Sequence, residues 1–378
     1  MEVQGAAISF LYIQASGSYR ELGRAVGEGA REQIGAAIAF YEEHFSAMAG
    51  IDFAEAERQA LTYLPFAQRY LPQYVEELEG MAEGSGQPFV KLLVPNCAEE
   101  FTCPVDEAAV AGGGDLEDGT GHSQAPVAGH FCTAVAAMTA ERHLVGHNMD
   151  WYVVDVDKNV LFDLTTPTGT RIVTIAGVPY LPILGMNSHG VAYVGNSVYS
   201  NDDRPGVPNV FVRRWALEAP SLEEAAARAA MPMRARGSNH LLGDRAGRIW
   251  DVETSARGAV LTEHEGHAAH TNHYAAAAMA VYEGYHEAES RARLAVADEA
   301  LGTGLAQGDD PVAVVERVLR SHTGAPDSIC GHPDESEPLG KRVITVASMI
   351  CDLDAMELRA CAGPPCENPY TTWSVGLA

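Results

Sequence analysis

The chain has 378 residues, 47% of them hydrophobic, and carries 51 acidic residues against 25 basic ones, a net charge of −26. That content supports a sizeable core in one large domain or two and excludes global disorder. The acidic balance argues against nucleic acid or an anionic membrane as partner, because the long-range field would repel either, and leaves a small molecule or a protein.

The N-terminal stretch MEVQGAAISFLYIQASGSYR has no basic residue before Arg20 and only a short apolar run, so it lacks the layout of a signal peptide. No run approaches the ~18 apolar residues of a membrane span. A soluble, cytoplasmic protein is the expectation. From Tyr19 to Phe45 apolar residues recur at helical spacing (Leu22, Val26, Ile34, Ile38, Tyr41), and Phe53 to Met81 continues in the same style, so the first hundred residues read as helical.

Between Lys91 and Arg142 there is no Lys or Arg, and the glycine-rich acidic run over 104–130 reads as an exposed linker. It ends just before Phe131-Cys132. Ala134 to Met138 and Leu144 to Gly146, around the polar Glu141-Arg142-His143, predict a β-hairpin. Short strands are predicted at Asn159 to Leu164, Arg171 to Ala176, Val191 to Asn196, Asn239 to Gly243, Ile249 to Glu253 and Ala259 to Thr262. Ser221 to Glu224 matches a capping box ahead of a helix, Ser290 to Leu301 reads as a second helix, and Asp310-Pro311 supplies an N-cap and N1 proline for a third. VITVASMICDL and MELRACAG, around Asp354-Ala355, close the chain as another hairpin. Strands flanking helices in this order predict a layered α+β sandwich.

A cysteine that follows a linker and opens a strand has one economical use. If the Phe131–Cys132 bond is cleaved, the freed α-amine, with an ordinary pKa near 8, sits beside a thiol of ~8.5 as a built-in base. The thiol can make that cut itself by attacking the preceding carbonyl to give a thioester that water hydrolyses. Such chemistry needs a carboxylate to hold the amine and a donor for the oxyanion. Asp150 lies past the second hairpin strand, so antiparallel pairing returns it to the neighbourhood of Cys132, although an Asp there also serves as a turn cap. Asn239, Asn148 and Asn272 are the amide candidates for the donor.

Several blocks in order then resemble one family: GSYRELGRAVGEG, EELEGMAEGSG, PNCAEE, the Cys-Thr opening, GHNMDW, SNHLLGD, HTNHY, SRARL, TVASMICDL, and GPPC followed by Tyr370. Together these are similar to the acyl-coenzyme A:6-aminopenicillanic acid acyltransferase (isopenicillin N acyltransferase) family of N-terminal nucleophile (Ntn) hydrolases. The resemblance implies a four-layer αββα fold and self-cleavage into a light chain, 1–131, and a heavy chain, 132–378. It also implies acyl transfer through a cysteine thioester with no cofactor or metal. Carried over by position, Cys132 is the nucleophile, Asp150 the catalytic carboxylate and Asn239 the oxyanion donor, with Asn148, Asn272 and His332 assigned to substrate binding. Two departures stand out: Phe131 replaces a frequent glycine, and Ser328-Ile329-Cys330-Gly331-His332 lacks the arginine of a Ser-Ile-Cys-Arg-His pattern.

The expected activity is hydrolysis of a linear amide C–N bond, with N-acyl transfer to an amine as the alternative and an inactive binding protein of the same fold as the other class. The substrate is a small-molecule amide or acyl thioester, and a homo-oligomer is compatible. Two rivals fare worse. His264, His267, His270 and His273 recur at three-residue steps, which alternate faces on a strand and do not match His-Glu-x-x-His. Cys103, with Cys97 six residues earlier, is followed by no strand. The odd number of cysteines, seven, shows no paired metal-ligand spacing and fits a reducing compartment, with Cys351, Cys361 and Cys366 read as small buried hydrophobes.

Overall fold

A computed structural model of the 378-residue chain describes residues 10–102, 132–285 and 288–377. The predicted linker at 104–130, the cleavage-site residue Phe131 and the rival Cys103 lie outside the described residues.

The N-terminal half-layer opens with a short strand that the sequence reading missed, β1 (Leu11–Ser16), and continues as helices α1 (Tyr19–Gly29), α2 (Arg31–Ala49), α3 (Phe53–Tyr70), α4 (Pro72–Ser85) and α5 (Phe89–Leu93). Each of the two long predicted helices is broken. Ala30 departs from helical geometry between α1 and α2, and Leu71 does so before Pro72, whose ring suits a first helical turn but not an interior. Ser18 caps α1 through a reciprocal box with Glu21.

Helices α1 and α4 meet backbone to backbone. A Cβ on Gly23 would lie 1.7 Å from the Glu77 carbonyl oxygen and one on Gly27 2.3 Å from that of Met81, while Gly80 and Gly84 face the Arg20 and Arg24 carbonyls at 2.1 and 2.2 Å. Glycine four residues apart on both helices makes this crossing, and GSYRELGRAVGEG and EELEGMAEGSG are its two halves. Nearby, Arg214 is fully buried beside Glu77 and Glu218 and over the Tyr74 ring.

The remaining strands are β2 (Thr133–Met138), β3 (His143–Tyr152), β4 (Asn159–Thr165), β5 (Arg171–Gly177), β6 (Gly185–Asn187), β7 (Val191–Ser197), β8 (Tyr199–Ser200), β9 (Ser238–Asp244), β10 (Ile249–Thr254), β11 (Ala259–His264), β12 (His267–His270), β13 (Glu283–Tyr285), β14 (Val343–Asp352), β15 (Glu357–Ala362) and β16 (Thr371–Ser374). Between them lie helices α6 (Asn209–Leu217), α7 (Leu222–Ala229), α8 (Ala288–Ala306) and α9 (Pro311–Leu319). Ser221 and Asp310 cap α7 and α9 as read from sequence.

Two sheets stack face to face. One has the order β1-β4-β5-β6-β7-β9-β10-β11 and the other β12-β2-β3-β14-β15-β16; β1 runs parallel to β4 and the other pairs are antiparallel. Ala134, Ala136, Val145 and Met349 of the smaller sheet pack against Leu161, Val173, Val194 and Leu241 of the larger. On the far side of the smaller sheet, Val135, Ala137, Leu144 and Ile350 meet α8 and α9 through Ala297, Leu301, Val315 and Val318. The outer face of the larger sheet meets the N-terminal helices through Val160, Phe162 and Leu164. Helix, sheet, sheet and helix therefore form four layers, the αββα arrangement expected of an α+β sandwich. Among the described residues no helix is long and apolar enough to cross a membrane.

Candidate active site

Cys132 stands at the head of β2, next to Thr133, which pairs with Asn148 of β3; continuing that register sets Cys132 across from Met149, and the backbone N–H of the following residue, Asp150, reaches the thiol. Strand alternation sends Cys132 with Ala134 and Ala136 into the space between the sheets. There it lines a cavity of about 740 Å³, mouth included, whose walls include Met149, Trp151, Ile183, Leu184, Val210 and Val346.

Asp150 lines the same cavity and is 1% exposed. Thr345 Oγ1, from β14, donates to its Oδ1 at 2.5 Å, while Oδ2 is buried without a hydrogen-bond partner. Burial pushes the carboxyl up to about 7 against the opposing Thr345 hydrogen bond and the charge of Arg293. The Cys132 thiol is pushed up to about 12, first by burial and then by the Asp150 charge, although the Asp150 backbone N–H favours the thiolate. Cys132 is thus held as a neutral thiol, and a base beside it would be needed to form the thiolate.

The remaining polar wall comes from residues that the sequence reading did not single out. Arg213 of α6 is 4% exposed, donates to Ser238 Oγ at 2.6 Å and pairs with Glu99 at 3.2 Å. His147 donates from Nε2 to the Gly195 carbonyl at 2.9 Å, and burial together with Arg213 pushes its pKa down to about 3, so it is a neutral imidazole. Glu99 sits inside the PNCAEE block, and a double arginine inside the apolar run VFVRRWAL was a legible sign of buried cations. Thr345 gave no sequence signal.

The amides are placed differently. Asn239 lies on β9 directly opposite Asn196 of β7, and its Nδ2 donates to Asp251; its Oδ1 and both polar atoms of Asn196 are buried without partners. Asn239 faces the space between the sheets but is not among the side chains lining the Cys132 cavity. Asn148 donates to the Leu319 and Ile329 carbonyls at 2.8 and 2.9 Å and accepts from Ser348. Asn272 donates to the Ser197 carbonyl and accepts from Arg293 at 2.8 Å. Both are pins between elements, and His332 is at the surface beside Cys330 and Cys366. None of these three lines the cavity.

Gly331 occupies the position of the absent arginine, and a Cβ there would lie 3.6 Å from Asp150 Oδ2. The same Cβ would lie 3.6 Å from Thr345 N and Oγ1, so a side chain there would start against both the carboxyl and its partner. Arg293, on α8, is the cation whose charge reaches it here.

The four regularly spaced histidines go to different partners. His264 lies 4.0 Å from Asp251, His267 3.4 Å from Asp298, His270 2.7 Å from Glu253, and His273 2.7 Å from Ser290 Oγ. His270 sits in a buried group with Asp251 and Glu253, and Asp251 is also the carboxylate that His264 approaches. Cys351 and Cys361 are buried as expected, but Cys366 is exposed: β15 ends at Ala362, and the turn after it carries Cys366 out of the core.

Among known proteins, the family described as acyl-coenzyme A:6-aminopenicillanic acid acyl-transferase matches residues 137–365. A curated relative from Emericella nidulans, the acyl-coenzyme A:6-aminopenicillanic-acid-acyltransferase 40 kDa form, is 26% identical over 216 residues, covering 57% of this chain and 55% of the relative. The chain thus spans about half the length of the curated relative it matches. Among solved structures, penicillin V acylase from Agrobacterium tumefaciens aligns at 15% identity and a TM-score of 0.42 over 61% of this chain and 82% of its own. A single-residue variant of conjugated bile acid hydrolase from Clostridium perfringens aligns at 14% and 0.41 over 65% and 98%.

Proposed function

The chain belongs to the acyl-coenzyme A:6-aminopenicillanic acid acyl-transferase family, and from that premise we propose that it is a self-processing cysteine Ntn hydrolase of linear, non-peptide amides. One observation carries this reading. Cys132 opens β2 at an apolar cavity with the Asp150 carboxyl beside it, fixed by Thr345 and otherwise unpartnered.

Processing begins with attack of the Cys132 sulfur on the Phe131 carbonyl carbon. The C–N bond breaks as the C–S bond forms, the thiol proton passes to the Cys132 nitrogen, and water then hydrolyses the thioester. The products are a light chain ending in the Phe131 carboxylate and a heavy chain whose first residue carries both thiol and amine. In turnover the α-amine takes the thiol proton and hands it to the departing amine nitrogen, so the substrate C–N bond breaks as a thioester forms. Asp150 orients the amine. Asn239, held by Asp251, provides the side-chain N–H for the oxyanion, with backbone N–H groups beside it. Apolar walls favour an apolar acyl group, and the Arg213–Glu99 pair supplies the polar end.

Water completes hydrolysis; an amine bound in its place completes acyl transfer through the same residues. Hydrolysis is preferred because it needs no second binding site, and the Emericella relative's name supports transfer as the second reading. We also assign the protein to the cytoplasm as a light–heavy pair that is free to associate further.

The test is the intact mass of the denatured wild type beside Cys132→Ala. Fragments of 1–131 and 132–378 in the wild type with one full-length chain in the variant are expected. A wild type that stays whole and releases no amine from a panel of N-acylated amines would leave an inactive binding protein of the same fold.

A further inference from the structure

We propose that His322, Cys330, His332 and Cys366 form a tetrahedral zinc site at the protein surface, separate from the Cys132 cavity. One donor atom from each lies within 4.8 Å of the other three. His322 Nε2 and His332 Nε2 are 3.2 Å apart, His332 Nε2 is 3.3 Å from Cys366 Sγ and 4.0 Å from Cys330 Sγ, and the two sulfurs are 3.5 Å apart. Zinc bonds of ~2.0–2.1 Å to nitrogen and ~2.3 Å to sulfur set tetrahedral edges of about 3.3 Å between nitrogens, 3.6 Å between nitrogen and sulfur and 3.8 Å between sulfurs. The four observed edges lie within about 0.5 Å of these lengths.

The donor set agrees with the distances. Two thiols and two imidazoles in a tetrahedral arrangement select zinc over the harder cations that prefer oxygen. Behind His332, Glu367 places a carboxylate oxygen 3.6 Å from Nδ1, where a partner for the outer ring nitrogen of a metal-bound histidine belongs. A Cys330–Cys366 disulfide is the simplest competing use of the sulfurs, but it needs them at ~2.05 Å and gives the paired imidazoles no role. Four protein donors leave no open position, so the site is structural.

What it braces is specific. Cys330 N–H donates to the Ser321 carbonyl at 3.0 Å, and Gly331, between two of the ligands, donates its N–H to Thr345 Oγ1 at 2.8 Å. The same hydroxyl donates to Asp150. The metal would tie the segment from His322 to His332 to the turn after β15, and so hold the strap that backs this carboxyl.

The measurement is zinc per chain, by elemental mass spectrometry, in the full-length wild type, Cys366→Ser and His322→Ala, both altered residues being solvent-exposed. About one zinc per chain in the wild type and at least roughly tenfold less in both variants is expected, with Co²⁺ substitution giving a tetrahedral visible spectrum and a sulfur charge-transfer band that Cys366→Ser weakens. Each of three outcomes overturns the proposal: a wild type that takes up no zinc when supplied with it, zinc content unchanged by either substitution, or an intact mass showing Cys330 and Cys366 joined and two hydrogens lighter. Metal content is read independently of turnover, so failure here leaves the reading of Cys132 untouched.

Discussion

Two places in this protein put cysteine thiols among different neighbours. Cys132 lies between the sheets, walled by apolar side chains, with a carboxyl as its nearest ionisable neighbour and its thiol pushed up to about 12 by burial. Cys330, buried, and Cys366, exposed, lie apart from that cavity, with the His332 imidazole against both sulfurs. A desolvated thiol beside a carboxyl is kept protonated until a base arrives, which suits the proposed activation of Cys132 by its own α-amine. Cys330 and Cys366 instead share His332 as a neighbour, with their sulfurs 3.5 Å apart, the arrangement on which the proposed zinc site rests. The difference lies in the neighbours, and strand register sets these at Cys132 while loop contacts set them at Cys366.

The comparison can be broken most forcefully at Asp150. Its carboxyl is raised from an ordinary 3.8 to about 7 by burial, so the folded chain keeps the proton that the unfolded chain gives up near 4. Stability from the neutral form is therefore fully present below pH 4 and is lost as pH rises to 7. At about 1.4 kcal/mol per pKa unit, the loss approaches 4 kcal/mol. Denaturant unfolding of Cys132→Ala, which stays uncut, against Cys132→Ala/Asp150→Asn should show the Asp form losing ground by up to that amount between pH 4 and 8. Parallel curves would mean that the carboxyl is not desolvated. In the cut wild type the new ammonium beside Asp150 should flatten the difference.

Next in size is the proposed oxyanion donor. Asn239→Ala is expected to lower kcat by about 10²–10³ with little change in KM, because the donor acts on charge that develops only in the transition state. Asn148→Ala, which removes a pin to the Leu319 and Ile329 carbonyls, should lower thermal stability instead. If the two variants exchange these phenotypes, the assignment of the amides is wrong.

How far the sequence could be read follows the same divide. Periodicity, caps and turns located α3, α7, α9 and the β2–β3 hairpin because each signal lies within a few residues of its consequence. Asp150 was legible because a hairpin brings it back to Cys132 through local pairing. Leu71-Pro72 carried a readable breaker that the apolar period masked, and β1 stayed hidden because its pairing with β4 spans nearly 150 residues. Arg213 and Glu99 reach the cavity, and Thr345 reaches Asp150, from distant elements, and no local pattern announces such meetings. Cys366 was misread for the opposite reason: its apolar neighbours belong to a strand that has already ended, and what it touches lies 34 and 36 residues back.

Thr345 joins the two clusters, and its removal has the smallest and most informative expected effect. Its hydroxyl accepts from Gly331 N–H and donates to Asp150, so Thr345→Val orphans one buried donor and one buried acceptor, a cost of about 1–3 kcal/mol in stability. Thr345→Ser keeps the hydroxyl and should recover most of it. If zinc holds the Gly331 strap, the strap and the hydroxyl act on one carboxyl, and Thr345→Val combined with Cys366→Ser should slow appearance of the 132–378 fragment by less than the product of the single effects. Strictly multiplicative slowing would show that the surface cluster and the cavity, though one hydroxyl apart, do not communicate.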